Sequence, residues 1–291
     1  MGLARVGRGA ALRDLPRAGA AAGRRGGHLR PRRARAAQGL RARGGAGGDG
    51  GAAGDRHARL RRVRGGRGLL SVSAWRRLLD VLAVPPDPYR FDPRLEERVA
   101  VLCQQAEGPV LNLGSGSTRY GERVVNVDLF AFAGVMVRAD AQRLPFRDAA
   151  FAGALLRGLL EHVASADRVL GEAGRVLARR AFLYVEVPFL QPMHLSPEDH
   201  RRFTLPGLRA RLSDYEEIDS GVQIGPGSTL AWVARETLAS VMSGGSPWVY
   251  RKALALVGWA TFWLKYLDPL AGSAPHVATS ASAVYFLGRK R

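Results

Sequence analysis

The stretch Val110-Leu-Asn-Leu-Gly-Ser-Gly-Ser117 decides the fold. An apolar run follows Pro109 and breaks into Gly114-Ser-Gly116, as a buried strand does when it ends in a turn whose backbone can approach a ligand closely. Apolar segments over 124–129, 135–137, 153–156 and 181–188 then alternate with helical patterns, the clearest over 160–179. Such alternation predicts an open, mostly parallel α/β sheet with helices on both faces. The strand-forming run 282–288 suits a last strand beside 181–188. Upstream, Leu95, Val99 and Leu102 predict a helix over 93–105, and Trp75, Leu78, Leu79 and Leu82 predict another that Pro85-Pro86 stops.

The charge is unevenly spread. The 291 residues carry 44 Lys and Arg against 25 Asp and Glu. Residues 1–70 hold 18 Arg, 3 Asp and 18 of the 36 glycines, with no serine and no aromatic residue. That composition buries too little apolar surface to offset chain entropy, so 1–70 reads as a disordered tail. Without an apolar h-region it is not a secretory signal, and without serine it is a poor transit peptide. Without aromatics for stacking it is a weak nucleic-acid arm, so nucleic acid is not the favoured partner. The single cysteine, Cys103, excludes an intrachain disulfide and a cysteine-based metal cluster, and no metal is expected. A cytoplasmic location is the expectation. The organisation is then tail 1–70, helical lead-in 71–108 and an α/β domain over 109–291.

Chemistry gathers at the strand ends. Fourteen positions beyond Gly114 the strand Val124-Val-Asn-Val-Asp128 closes on a carboxylate. In nucleotide-binding sheets an acid there accepts hydrogen bonds from two ribose hydroxyls. A third strand runs into Ala139-Asp140-Ala141, where an acid can meet the exocyclic amine of adenine. Only seven residues separate Gly116 from Val124, too few for a normal crossover helix and unlike a dinucleotide-binding fingerprint.

Taken in order, Val110-Leu-Asn-Leu-Gly-Ser-Gly-Ser117, Val125-Asn-Val-Asp128, Ala139-Asp-Ala-Gln-Arg-Leu-Pro-Phe146, Leu160-Glu-His-Val163, Arg175-Val-Leu177 and Phe182-Leu-Tyr-Val-Glu-Val-Pro-Phe189 resemble the class I S-adenosylmethionine-dependent methyltransferases, in particular the type 11 group. The resemblance covers about 110–290. It implies a Rossmann-like, seven-stranded sheet and S-adenosyl-L-methionine as cofactor. It also implies that Gly114 and Gly116 face the methionine end, Asp128 holds the ribose and Asp140-Ala141 frames the adenine. Asn112 stands where relatives carry an acid, and Glu161-His162, at the start of the fourth crossover helix, lies near the sulfonium side; the alternative for that pair is a helix N-terminal carboxylate beside a packed imidazole.

The loop after the fifth strand reads Pro192-Met-His-Leu-Ser-Pro-Glu-Asp-His-Arg-Arg-Phe-Thr204. Ligands of such sheets bind beyond the carboxyl ends of the strands, so this loop should meet the methyl acceptor. His194 is the expected base or hydrogen-bond partner of the acceptor, Asp199 its orienting group and Arg202 the holder of an anionic substrate group. The alternative is that Arg202 pairs with Asp199 to pin the loop. The Asn/Asp-Pro-Pro-Tyr motif of amine methylators is absent, since 157–160 reads Arg-Gly-Leu-Leu. The expected acceptor is a small molecule, sugar or lipid-linked intermediate methylated on oxygen. Two alternatives are a non-catalytic binding module and an RNA methyltransferase that uses the basic tail.

The segment 247–267 carries Trp248, Trp259 and Trp263. Its uncharged stretch 253–264 spans about 18 Å as a helix, short of a ~30 Å bilayer core. A buried helix or homodimer contact is expected there, with peripheral membrane contact as the alternative.

Overall fold

The computed structural model describes residues 84–194, 197–272 and 274–291; the expected tail and the helix around Trp75 lie outside them. The described residues hold seven strands: β1 (Val110–Leu113), β2 (Val124–Asp128), β3 (Val137–Arg138), β4 (Phe151–Arg157), β5 (Leu177–Pro188), β6 (Tyr215–Ile224) and β7 (Ala283–Lys290). They form one sheet in the order β3-β2-β1-β4-β5-β7-β6. The first five run parallel, and β7 lies antiparallel between β5 and β6. Leu113, the last residue of β1, lies between Val127 and Leu156. Connections run outward from β1 to β2 on one side and from β4 to β5 on the other. The order reverses between β1 and β4, and a crevice opens there beyond the strand ends.

Both faces of the sheet are covered because successive strand residues point to opposite sides. Helix α1 (Pro93–Gln105) is capped by Asp92, whose carboxylate accepts the Arg94 N–H at 2.9 Å. It packs Leu95, Val99 and Cys103 with Val110, Leu155, Phe182 and Tyr184. Helix α2 (Ala166–Val176) is capped by Ser165 and packs Val169, Ala173 and Val176 with Leu111, Leu156 and Leu183 on the other face.

Several sequence expectations change. No helix joins β1 to β2; the chain crosses 114–123 in turns, as the seven-residue spacing requires. Helix α2 begins at Ala166 rather than near 160, because Gly158 turns the chain at φ +59° and Ser165 supplies the cap. Glu161 and His162 therefore lie in a turn before that helix. The short helix α3 (Leu205–Arg211) and strand β6 were not anticipated. As an edge strand, β6 exposes Glu216, Glu217 and Ile218, which hides the apolar alternation of a half-buried strand.

The C-terminal half adds α4 (Pro226–Ser243), α5 (Pro247–Thr261), a 3-10 turn over Phe262–Leu267 and the short α6 (Asp268–Ala271). Helix α4 starts after Gly225 with no cap of its own. Asp268 fills that role from 40 residues away. Its Oδ1 accepts the N–H groups of Gly227 and Ser228 at 2.7 and 3.1 Å, and its Oδ2 accepts the Ser228 hydroxyl at 2.5 Å. On α5, Ala253, Val257 and Gly258 are buried while Trp248 and Leu256 are exposed, as is Trp263 just beyond. No helix among the described residues is long and apolar enough to cross a membrane.

Candidate active site

The crevice between β1 and β4 holds a cavity of about 460 Å³ lined by Gly114, Gly116, Asp128, Phe130, Asp140, Ala141, Leu159 and His162. Gly114 (φ +69°) and Gly116 (φ +51°) hold left-handed backbone that a residue with a Cβ would adopt only at a cost. A Cβ on Gly114 would meet Leu159 at 2.9 Å, whereas nothing lies within 4 Å of one on Gly116. The turn is therefore pressed against the β4 end on one side and open on the other. Asp128 is buried and rigidly held, its Oδ2 accepting the Gly116 N–H at 2.8 Å and its Oδ1 the Phe130 N–H at 2.9 Å. A carboxylate has about four acceptor sites, so both oxygens retain capacity for hydroxyl donors. Asp140 accepts the Gln142 N–H at 2.8 Å, which fixes its carboxylate at the cavity rim.

Asn112 does not reach this cavity. On β1 it faces opposite to Leu111 and Leu113, and its Nδ2 donates to Asn126 Oδ1 at 3.0 Å. Asn126 in turn donates to the Gly134 carbonyl at 3.2 Å, so the amide pair ties β1 to the loop after β2. Its contribution is to the sheet, not to direct cofactor contact.

A second group of side chains closes the cavity at the His162 end. His194 Nε2 lies 3.2 Å from His162 Nε2, and the two rings meet edge to face. Glu161 Oε1 lies 3.8 Å from His162 Nε2 and 3.9 Å from His194 Nε2. The other Glu161 oxygen is buried without a hydrogen-bond partner among the described residues. Burial pushes the Glu161 carboxyl up to about 7, against its own backbone hydrogen bond and the pull of Arg202. Burial likewise pushes the His194 imidazole down, opposed by the charge of Asp199. Residues assigned separately in sequence, Glu161-His162 to the cofactor and His194 to the acceptor, thus form one cluster.

The loop that carries His194 is pinned from beneath. The Asp199 side chain is 1% exposed and accepts the His194 N–H at 2.9 Å, with Oδ2 also 3.4 Å from His194 Nδ1. Burial alone would raise the Asp199 carboxyl, but hydrogen bonds from Arg202 and His194 outweigh it and hold the group at about 2. Arg202, expected to grip an anionic substrate group, is turned inward instead. It pairs with Asp199 and donates to the Pro192 carbonyl at 3.1 Å and more weakly to Gln191. The pinning alternative is the arrangement found.

Trp232 of α4 lies 6.4 Å from the His194 ring and stacks on Tyr89 at 5.1 Å, which adds an aromatic wall that the sequence did not single out. Exposed Phe130 and Phe132, just past β2, offered the one visible signal of a cavity wall. Beneath the β4 end, Arg157 donates to Glu186 Oε2 at 2.9 Å and to Glu96 at 2.5 and 2.9 Å, and also contacts the Tyr120 hydroxyl. This buried network anchors the strand end from which Gly158 and Leu159 enter the cavity wall.

Residues 113–185 match the family model described as a methyltransferase domain. The matched segment runs from the end of β1 into β5 and includes both glycines, both aspartates and Glu161-His162. A methyltransferase domain therefore occupies residues 113–185 of the chain. Such a domain implies S-adenosylmethionine as cofactor. A search of the curated proteins finds no match. Among solved structures, the chain is similar to 1,6-didemethyltoxoflavin-N1-methyltransferase of Burkholderia thailandensis, crystallised with S-adenosylhomocysteine, at 19% identity over 75% of this chain and 84% of that one (TM-score 0.40). It is also similar to geranyl diphosphate C-methyltransferase of Streptomyces coelicolor, at 14% identity over 68% and 80% of the two chains (TM-score 0.41). A third is a possible histamine N-methyltransferase of Thermotoga maritima, at 16% over 76% and 96% (TM-score 0.41).

The cavity fits the cofactor that this class uses. Its volume lies in the range of about 300–1,000 Å³ usual for small-molecule sites. A buried carboxylate with spare acceptor sites and an open glycine turn suit a ribose and an adjoining polar chain.

Proposed function

We propose that this methyltransferase acts on the oxygen of a small-molecule, sugar or lipid-linked acceptor, and that the acceptor enters at the His162–His194 end of the cavity. The observation that supports this reading is the convergence of two imidazole nitrogens and a buried carboxylate at the cavity edge. Hydroxyl acceptors are weak nucleophiles and gain from a group that takes their hydrogen bond.

In this reading Gly114, Gly116, Asp128 and the Asp140-Ala141 turn hold S-adenosylmethionine. When bound, the cofactor supplies an electrophilic sulfonium methyl for in-line displacement. His194 accepts the acceptor's hydroxyl at Nε2, and Asp199 is a positioning residue that fixes the His194 backbone and ring. Trp232, backed by Tyr89, flanks the His194 ring. Most of the rate then comes from holding the two reactants in line.

The exposed Trp248, Leu256 and Trp263 beside Arg251, Lys252 and Lys265 support a peripheral contact with an anionic membrane surface, where a lipid-linked acceptor would be found. Co-sedimentation with vesicles of anionic and of neutral lipid checks this, and equal or absent binding to both would refute it.

The acceptor class is tested with methyl-labelled cofactor and a panel of alcohols, sugars and isoprenoid-linked sugars, the products being analysed by mass spectrometry. Methyl ether formation that falls by about 10²–10⁴ in His194→Ala, with the cofactor dissociation constant unchanged, is the expected result. Label appearing only on nitrogen, nucleic acid or protein would overturn the reading.

A further inference from the structure

The cluster at the cavity edge has the dimensions of a metal site. His162 Nε2, His194 Nε2 and Glu161 Oε1 form a triangle with sides of 3.2, 3.8 and 3.9 Å. A point equidistant from the three corners of this triangle lies about 2.1 Å from each, which matches zinc–nitrogen and zinc–oxygen bonds of about 2.0–2.2 Å. The three residues come together from a turn and a loop 32 positions apart.

The surroundings of the two imidazoles point the same way. A metal-binding histidine usually donates its other ring N–H to a carbonyl or carboxylate, which fixes the tautomer and leaves the metal-facing nitrogen with a free lone pair. His162 Nδ1 contacts the Glu198 carbonyl oxygen. His194 Nδ1 faces Asp199 Oδ2 at 3.4 Å, a carboxylate placed to receive its proton. His162 Nε2 is then left with a free lone pair, and so is His194 Nε2 when the His194 proton sits on Nδ1 facing Asp199. Glu161 Oε2 is buried with no hydrogen-bond partner among the described residues, so the carboxylate retains free acceptor capacity at the cluster.

We infer that Glu161, His162 and His194 bind a divalent first-row transition-metal ion through Oε1, Nε2 and Nε2. Two imidazoles and one carboxylate suit zinc, iron or cobalt over magnesium and calcium, which prefer all-oxygen ligation. Three protein ligands leave a coordination position open, as in catalytic rather than structural sites. His162 lines the cofactor cavity, so that position lies beside it. Its role as the seat of the acceptor oxygen rests on the oxygen-methylation reading above, in which the metal would take over from His194 Nε2 as the group that receives the hydroxyl. Metal binding itself does not rest on that reading.

The test uses the full chain, stripped with chelator and titrated with Zn(II) against a chromophoric competitor, with neither cofactor nor acceptor present. Binding of about one ion per chain is expected, unaffected by millimolar Mg(II). Asp199→Asn should weaken it by about 10–100-fold, as loss of an outer hydrogen-bond partner does, and His162→Ala or His194→Ala by more. His276→Ala, an exposed site elsewhere, should leave it unchanged. Should a ligand variant fail to fold, Co(II) bound to the unaltered chain must still show the visible absorption of a low-coordinate nitrogen and oxygen site. Absence of binding would overturn the inference, as would equal binding in the His162 and His194 variants. Failure to methylate any alcohol by a metal-binding chain would instead overturn the oxygen-methylation reading alone.

Discussion

Replacing Arg157 with leucine removes the cation from a buried network and leaves Glu186, itself 6% exposed, without its counter-charge. Glu186 would keep only the Tyr184 hydroxyl at 3.4 Å. Glu96 would fare better, because it keeps Gln223 at 2.8 Å and reaches solvent. Breaking a buried pair by deleting one partner costs about 3–5 kcal/mol. At about 2–4 °C per kcal/mol for a domain of this size, Arg157→Leu should melt about 6–20 °C lower at pH 8. The loss has a signature in pH. Burial already pushes the Glu186 carboxyl up, with Arg157 opposing, so in the variant the native state retains a proton that the unfolded chain releases above about 4.3. The native form then binds more protons than the unfolded one, and stability falls as pH rises through that window. Urea denaturation at pH 5.5 and 8 reads both effects. The variant should regain much of its stability at the lower pH, and adding Glu186→Gln should restore most of it at the higher one. Unchanged stability of Arg157→Leu, or a double variant as weak as the single, would refute the reasoning.

Asp128→Ala frees the N–H groups of Gly116 and Phe130 and removes the carboxylate proposed to hold the ribose; calorimetry should show S-adenosylmethionine binding weakened by about 10–100-fold, from roughly 1–3 kcal/mol for unsatisfied groups. Asp268→Ala uncaps α4, and thermal melting should show a loss of about 1–2 kcal/mol without a change in cofactor affinity. A Cβ on Gly153 would stand 2.1 Å from the Phe182 ring, so Gly153→Ala should cost about 1–3 kcal/mol in urea denaturation while far-UV circular dichroism stays the same.

Strand and glycine-turn positions around the cofactor cavity were legible because they depend on local rules. An apolar run must be buried, and a Gly-x-Gly turn must follow where the backbone leaves the sheet. The spacing from Gly116 to Val124 fixed the missing helix by length alone. Strand β6 escaped because an edge strand need not alternate, and α3 because seven residues carry little periodicity. The start of α2 was misjudged by six residues, since Leu160 and Val163 are apolar for reasons of packing against the sheet rather than of helix periodicity.

The sequence by itself therefore determined the fold class and the strand-end positions Gly114, Gly116, Asp128 and Asp140 that line one cavity. Only the tertiary structure decided that Arg202 points inward, that Asn112 belongs to the sheet, and that His162 and His194 meet nitrogen to nitrogen over Glu161. Those outcomes depend on where two segments 32 residues apart cross in space. No spacing along a chain encodes such a distance, because it is set by the sheet order that puts β4 and β5 side by side.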